Sequence, residues 1–365
     1  MKFRMVQRTR ISTLKAMSIR IVAILLALLV AALLLLVMGF NPLEAYAAML
    51  SGAFGSFTGL RSTVTTAVPL IIISLGISIA FSMNFVNVGG EGQLLAGAVG
   101  ATFIAHNLPM SLPAPIMLLA MAVASMLLGG LLAAIPAFFK AKYNVNETLF
   151  TLMLNYVMQY FVLMLRSQIW RDPKGMGFPK IAAVPTNAML PKWGGIHIGW
   201  MVALVLVAIV HIMMRRTKIG YEMRVVGSSV NTARYAGMNV NKVIIIGVCV
   251  SGAIAGLTGM IKLSGSTYNL TETIGGGSGF TAVIIAWLSK LSAPVILFVG
   301  FMFGALTQGA TAMEIALGIP AALADSIQGL ILFGALGCEF FIQYKLVREQ
   351  RTLARQPELN EEVAE

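Results

Sequence analysis

The residues best suited to chemistry lie in Asn84-Phe-Val-Asn87-Val-Gly-Gly-Glu91-Gly-Gln93, where three amides and a carboxylate surround three glycines between two apolar runs. Glycine lets a backbone turn sharply, and unwound backbone at membrane depth survives only where protein or enclosed water satisfies its polar groups. One reading is a broken helix lining a transport path; the other is a tight turn at the membrane surface. If buried, Glu91 requires a hydrogen-bonding partner from another span. Asn155 and Tyr156 are polar groups inside a further apolar run, placed either to face such a path or to bond across helices. Just before that run, Asn144 with Glu147 three residues later fits a capping box. A second glycine cluster, Gly275 to Gly277 with Gly279 and Phe280, precedes a short apolar run and matches the cluster at Gly89 in type. Paired interrupted helices mark binding sites in transporters, so Asn84, Asn87, Glu91, Gln93, Asn155, Tyr156 and Phe280 are the candidate pathway residues.

Other chemistries find little support. No G-x-x-x-x-G-K-[ST] stretch is present to cradle phosphates, so any ATP and Mg would act on a partner chain. His106, His197 and His211 are isolated near the ends of apolar runs, and Cys249 and Cys338 read as buried thiols without metal spacing. Neither a catalytic constellation nor a bound metal or cofactor is expected in this chain.

The elements that must position these residues are membrane helices. Hydrophobic residues make up 58% of the 365 and charged residues 11%, far from the roughly 25% charge of a soluble domain. The expected fold is all-α and polytopic, with about ten transmembrane helices centred near Leu29, Ile72, Ala98, Met126, Gln159, Leu206, Ala253, Ile285, Gly304 and Leu332. The third and eighth are short. The formal charge of +12 does not signal nucleic-acid binding, because the basic residues cluster between apolar runs and at both ends, where lipid headgroups and topology account for them. With both termini in the cytoplasm, most Lys and Arg fall inside, and only Arg61, the Arg166–Lys192 group and Lys262 fall outside. The expected organisation is a basic amino terminus over 1–20, one transmembrane domain over 21–344, and a charged, solvated tail over 345–365. Within the domain, the proline-rich loop 166–199 is external, and could cover the outer mouth, contact an extracellular partner or simply connect. Gly252, Gly256 and Gly259 give one helix a small-residue face for close packing.

The cytoplasmic loop 215–242 is the most distinctive part of the chain. In it Ser229 or Asn231 can cap a short helix carrying Ala233, Arg234, Tyr235 and Ala236, and Gly237 can end that helix in a left-handed conformation. A small-residue, aromatic-tipped helix outside the bilayer suits a groove on a soluble partner.

Four stretches together resemble the inner-membrane permease subunits of bacterial ABC importers of the ribose and branched-chain amino acid permease superfamily, in the nucleoside and simple-sugar branch. They are Asn87 to Gln93, Asn146 to Tyr156, Arg224 to Gly237 with its Gly227, and Ser251 to Gly256. The resemblance runs from about Val68 to Leu336. It implies an alternating-access import pore without enzymatic activity in the bacterial plasma membrane. It also implies a second permease chain, identical or paralogous, two ATPase subunits that bind ATP and Mg, and an extracytoplasmic substrate-binding lipoprotein. In such permeases Gly227, Asn231 and the stretch Ala233 to Gly237 would act as the coupling helix on the ATPase. Trp287-Leu-Ser-Lys290 departs from the family's small residues. Two rivals stand beside this reading, an ion-coupled secondary carrier of a small polar solute and a non-transporting membrane scaffold.

Overall fold

A computed structural model describes residues 3–7, 12–173 and 179–348. Part of the loop expected outside, 174–178, and the end of the expected tail, 349–365, lie beyond the described residues. The described chain is almost wholly helical. In order the helices are α1 (Thr13–Val37), α2 (Pro42–Phe54), α3 (Phe57–Ser82), α4 (Gly90–Asn107), α5 (Ala114–Tyr143), α6 (Glu147–Met164), α7 (Gly199–Arg216), α8 (Lys218–Ser228), α9 (Val230–Tyr235), α10 (Val240–Lys262), α11 (Ser278–Leu288), α12 (Ala293–Leu317) and α13 (Ala321–Gln343).

All ten expected centres fall within helices, and eight of the helices described are long and apolar enough to cross a membrane. The two that fall short are α4, whose first turn is polar, and α11, which has 11 residues. At 1.5 Å per residue α11 is only about 16 Å long, half of a bilayer's roughly 30 Å hydrocarbon core.

The chain divides into two compact units. One comprises the residues up to 40 and those from 329 onward. In it β1 (Phe3–Gln7) pairs antiparallel with β4 (Tyr344–Arg348), from Phe3 opposite Arg348 to Gln7 opposite Tyr344. The start of the expected solvated tail is therefore a strand, because Tyr-Lys-Leu-Val-Arg and Phe-Arg-Met-Val-Gln both carry the short apolar and branched pattern a strand accepts.

The other unit, residues 41–328, holds the functional elements. Its centre is α3, which is apolar on every side and buried without a break from Ala67 to Phe81. Beside it, α10 packs closely on α5 and α4. A side chain at Gly252 would strike Ala133, one at Gly256 would strike the Ser125 carbonyl, and one at Gly259 would strike the Leu94 carbonyl. Backbone contact of this kind is how helices gain dispersion energy in lipid, where burial of apolar surface between helices contributes little. Ser125 adds a 2.8 Å hydrogen bond to the Gly97 carbonyl across the same seam.

The capping box expected at Asn144 is not formed. Helix α5 continues through Tyr143 and uses Asn144 as its left-handed terminus, φ 52°. Asn146 caps α6 instead, accepting from Leu149 N–H at 3.2 Å, while Glu147 pairs with Lys140 at 2.9 Å. The loop 166–199 is structured by β2 (Lys192–Trp193) paired with β3 (Ile196–His197), and is pinned by Leu190 N–H to the Ser264 carbonyl and by Arg166 to Glu272. Of the two cysteines, Cys338 is buried as expected, and Cys249 is half-buried.

Candidate functional site

Helix α3 ends at Ser82, and Asn84 reverses the chain with φ 58°. The segment that follows does not leave the protein. Asn87 donates to the Ser251 hydroxyl at 3.2 Å, and a side chain at Gly76 would meet the Ser251 carbonyl, so Asn87 lies level with Gly76. Six helical residues separate Gly76 from Ser82, so the chain doubles back by about 9 Å before α4 begins. Gly90, the first residue of α4, lies against Ile73 and Ile77 of α3.

The buried polar side chains of this re-entrant turn are satisfied by named partners. The amides of Asn87 and Gln93 pair reciprocally at 3.1 Å, and Asn87 Oδ1 also accepts from Gly89 N–H at 2.9 Å. From α6, Asn155 accepts from Gly92 N–H at 2.8 Å and donates to the Val88 carbonyl at 3.0 Å, while the Thr151 hydroxyl accepts from Val88 N–H. Asn87, Gln93, Thr151 and Asn155 are all buried. Leaving one such donor or acceptor unpaired costs about 1–3 kcal/mol, so the set holds the unwound segment in one conformation.

Glu91 joins this turn to the second glycine cluster. Its carboxylate accepts from Gly277 N–H at 3.0 Å and from Gly279 N–H at 2.7 Å, at the start of α11. Negative charge is favoured there because the first amides of a helix lack partners and carry partial positive charge. Lys262, at the end of α10, donates to the Gly275 carbonyl at 2.8 Å and to the Ser278 hydroxyl at 3.3 Å. An anion and a cation therefore grip the same short turn from two helices. Glycine is required in it: a side chain at Gly275 would fall on the Glu91 carboxylate, and one at Gly279 on the Glu91 backbone, while Gly277 has φ 74°.

The candidate pathway residues thus separate. Asn87, Glu91, Gln93 and Asn155 come together, and Asn84 forms the exposed turn after α3. Tyr156, one position round α6 from Asn155, lies on its exposed side, and Phe280 is exposed on α11. Thr151, Ser251, Lys262 and the amides of Gly277 and Gly279 join the site although nothing in the sequence marks them as pathway residues. A lysine within an apolar run is a signal for the cationic clamp, whereas backbone amides leave no trace in side-chain chemistry.

On the opposite face of function, the basic loop forms two helices. In α8, Met223 and Val226 are buried on one side, and Gly227 allows contact with the backbone of Ser82 and Met83. Gly227 is therefore a packing position against the end of α3, two residues before the Ser229 cap of α9. Ser229 caps α9, accepting from Thr232 N–H at 3.2 Å. Gly237, with φ 75°, ends it, and Met238 N–H returns to the Ala233 carbonyl at 3.0 Å. Ala233 is fully buried and anchors the helix; Asn231, Arg234 and Ala236 are exposed, and Tyr235 is 93% exposed. A cavity of about 710 Å³ beside the end of α9 is lined by Tyr221, Glu222, Gly237 and Lys242 among others.

Comparison with known proteins identifies the family. Residues 59–336 match the family described as branched-chain amino acid transport system permease component. The chain is 34% identical to the glucose ABC transporter permease protein of Haloferax volcanii, over 89% of this chain and 88% of the relative. It is 30% identical to the guanosine ABC transporter permease protein of Bacillus subtilis, over 88% and 93% respectively. With the nucleoside ABC transporter permease protein of Lactococcus lactis the identity is 28%, over 89% and 92%. In this family ATP is hydrolysed by separate ATPase subunits, and binding proteins are further partners. The chain belongs to the branched-chain amino acid transport system permease family, and is a multi-pass plasma-membrane permease subunit of an ABC transporter with no enzyme activity of its own.

Proposed function

We propose that this chain forms one half of the transmembrane pathway of a nucleoside importer, paired with a second permease chain, identical or paralogous, and fed by an extracytoplasmic substrate-binding lipoprotein. ATP and Mg bind the ATPase subunits, and α9 carries their closure into the bundle. The observation that carries this reading is the construction of α9: capped at both ends, anchored by buried Ala233, and presenting an almost fully exposed Tyr235. A large exposed aromatic on a rigid short helix outside the spans has the form of a docking knob.

Force applied at α9 has a route inward. Helix α8 rests on the end of α3 at Gly227, α3 leads into the re-entrant turn, and Glu91 of that turn holds the start of α11. Movement of the α8–α9 unit would shift α4 and α11 against each other, which is the place where half-helices meet at mid-depth. The pairing of β1 with β4 supports an even number of crossings and both termini on one side.

The relatives named for guanosine and nucleosides support nucleoside cargo, and the relative named for glucose supports a second reading, sugar import. Uptake of labelled guanosine and labelled glucose by cells expressing the whole transporter decides between them. Saturable, ATP-dependent guanosine uptake that unlabelled glucose fails to compete is the expected result; glucose uptake without guanosine uptake would overturn the nucleoside assignment. Ion-coupled transport is disfavoured because the family and the relatives named are ABC transporter permeases. A scaffold that moves nothing would show no uptake of either solute.

A further inference from the structure

Where α7, α12 and the end of α3 converge, a cavity of about 340 Å³ is lined by four basic side chains, His211, Arg215, Arg224 and Lys290. No acidic residue is among those lining it. The four come from three elements: His211 and Arg215 from the last turns of α7, Arg224 from α8, and Lys290 from the turn between α11 and α12. Both Lys290 and Leu291 in that turn have positive φ, 49° and 58°, a conformation that costs a non-glycine residue roughly 1 kcal/mol or more. The start of α12 also opens into the cavity at Ser292 and Ala293, and the Ser292 side chain makes no capping bond. The cavity is thus a basin of positive charge on the side to which the basic loops belong.

The same seam continues as a groove of opposite character. About 360 Å³ of apolar space lies between α3, α7 and α12, walled by Val68, Ala203, Leu204, Pro294 and Phe298 among others. Ala293 lines the basic cavity and Pro294 the apolar groove, so the two adjoin along α12. Along α12 the lining runs on from Ala293 to Phe301, eight positions or about 12 Å. That length falls within one leaflet's share, about 15 Å, of the hydrocarbon core.

We infer that this seam is a binding site for an anionic diacyl phospholipid of the inner leaflet. The phosphate lies among Arg215, Arg224 and Lys290, and one acyl chain lies in the groove between α7 and α12. A free phosphate shares the headgroup chemistry but has no use for the groove. A zwitterionic lipid fills the groove but brings its own cation to the basin. Because Arg224 belongs to α8 and Lys290 follows α11, an occupied site would tie the coupling unit to the half-helix that Glu91 holds.

The test is native mass spectrometry of the delipidated full-length protein titrated with phosphatidylglycerol, phosphatidylcholine, glycerophosphoglycerol or inorganic phosphate. Phosphatidylglycerol should bind in preference to phosphatidylcholine, and neither glycerophosphoglycerol nor phosphate should displace it. With about 1 kcal/mol per basic residue near an anionic headgroup, Arg215→Gln should weaken binding about fivefold and Arg224→Gln/Lys290→Gln about 25-fold. The matched pair Arg216→Gln/Lys242→Gln, which removes equal charge outside the cavity, should leave binding unchanged. Equal binding of the two lipids, displacement by phosphate or headgroup alone, full binding by Arg224→Gln/Lys290→Gln, or an equal loss in the matched pair would each overturn the inference.

Discussion

Glu91 is the residue on which the interior depends most, because one carboxylate satisfies two amides that no other described group reaches. Replacing it with Ala removes two charge-assisted bonds, a loss of roughly 2–4 kcal/mol allowing for non-additivity. Glu91→Ala should therefore lower the melting temperature of the purified protein and abolish uptake, whereas Glu91→Gln, which keeps one acceptor, should retain part of both. Equal stability of Glu91→Ala and the parent would contradict the clamp. His197 gives a second residue-scale outcome, in pH. Its imidazole accepts from Gly199 N–H at 3.2 Å, and burial, with Lys192 adding to it, pushes its pKa below the ordinary value of about 6.5. A depressed folded-state pKa means that the neutral form is the one folding favours. The stabilisation is present above pH 6.5 and is lost as pH falls through the folded-state value. Protection factors at the β2–β3 hairpin, taken relative to an intrinsic exchange that slows with acid, should fall from pH 7 to pH 5, and His197→Asn should flatten that change. The same acid response in the variant would assign it elsewhere.

Among the elements, α9 is the one whose form was most legible in the residues. Its caps, Ser229 and Gly237, act over five positions or fewer, and local rules suffice at that range. The pairing of the Gly89 and Gly275 clusters was legible as a similarity of type; the contact through Glu91 was not, because its partners are backbone amides 186 and 188 positions away. Helix α8 carries no continuous apolar run, because it is short and amphipathic, so hydropathy does not reveal it. Asn144 and Asn146 were confused because either can cap, and only how far α5 continues decides between them. Tyr156 was grouped with Asn155 by adjacency, although successive helical residues point about 100° apart. At this scale Gly237→Leu is the informative change. Nothing crowds Gly237, so the substitution adds no clash and acts through its left-handed φ, at about 1–2 kcal/mol. The protein should reach the membrane in normal amount, with ATP hydrolysis by the complex retained and uptake reduced severalfold. Parent-level uptake would show that the end of α9 bears no load.

For the whole molecule, hydropathy gave the ten helical centres because membrane thickness sets a length that composition must satisfy. Which helix lies at the centre was not legible, since α3 and α10 read like any other apolar run until their glycines and neighbours are placed. The resulting account is mechanical: a partner's nucleotide cycle acts on α9, passes through α8 and α3 to the re-entrant turn, and moves α11 through Glu91. Its first step is open to direct measurement. Tyr235→Cys, in a chain with Cys249 and Cys338 replaced by Ser, should form a disulfide-length cross-link to a cysteine series on the ATPase subunit in the assembled transporter, and the yield should change when a non-hydrolysable ATP analogue is added. Failure of Tyr235→Cys to cross-link to any position on the ATPase, together with its labelling by a membrane-impermeant maleimide from the external face, would contradict the account at its root.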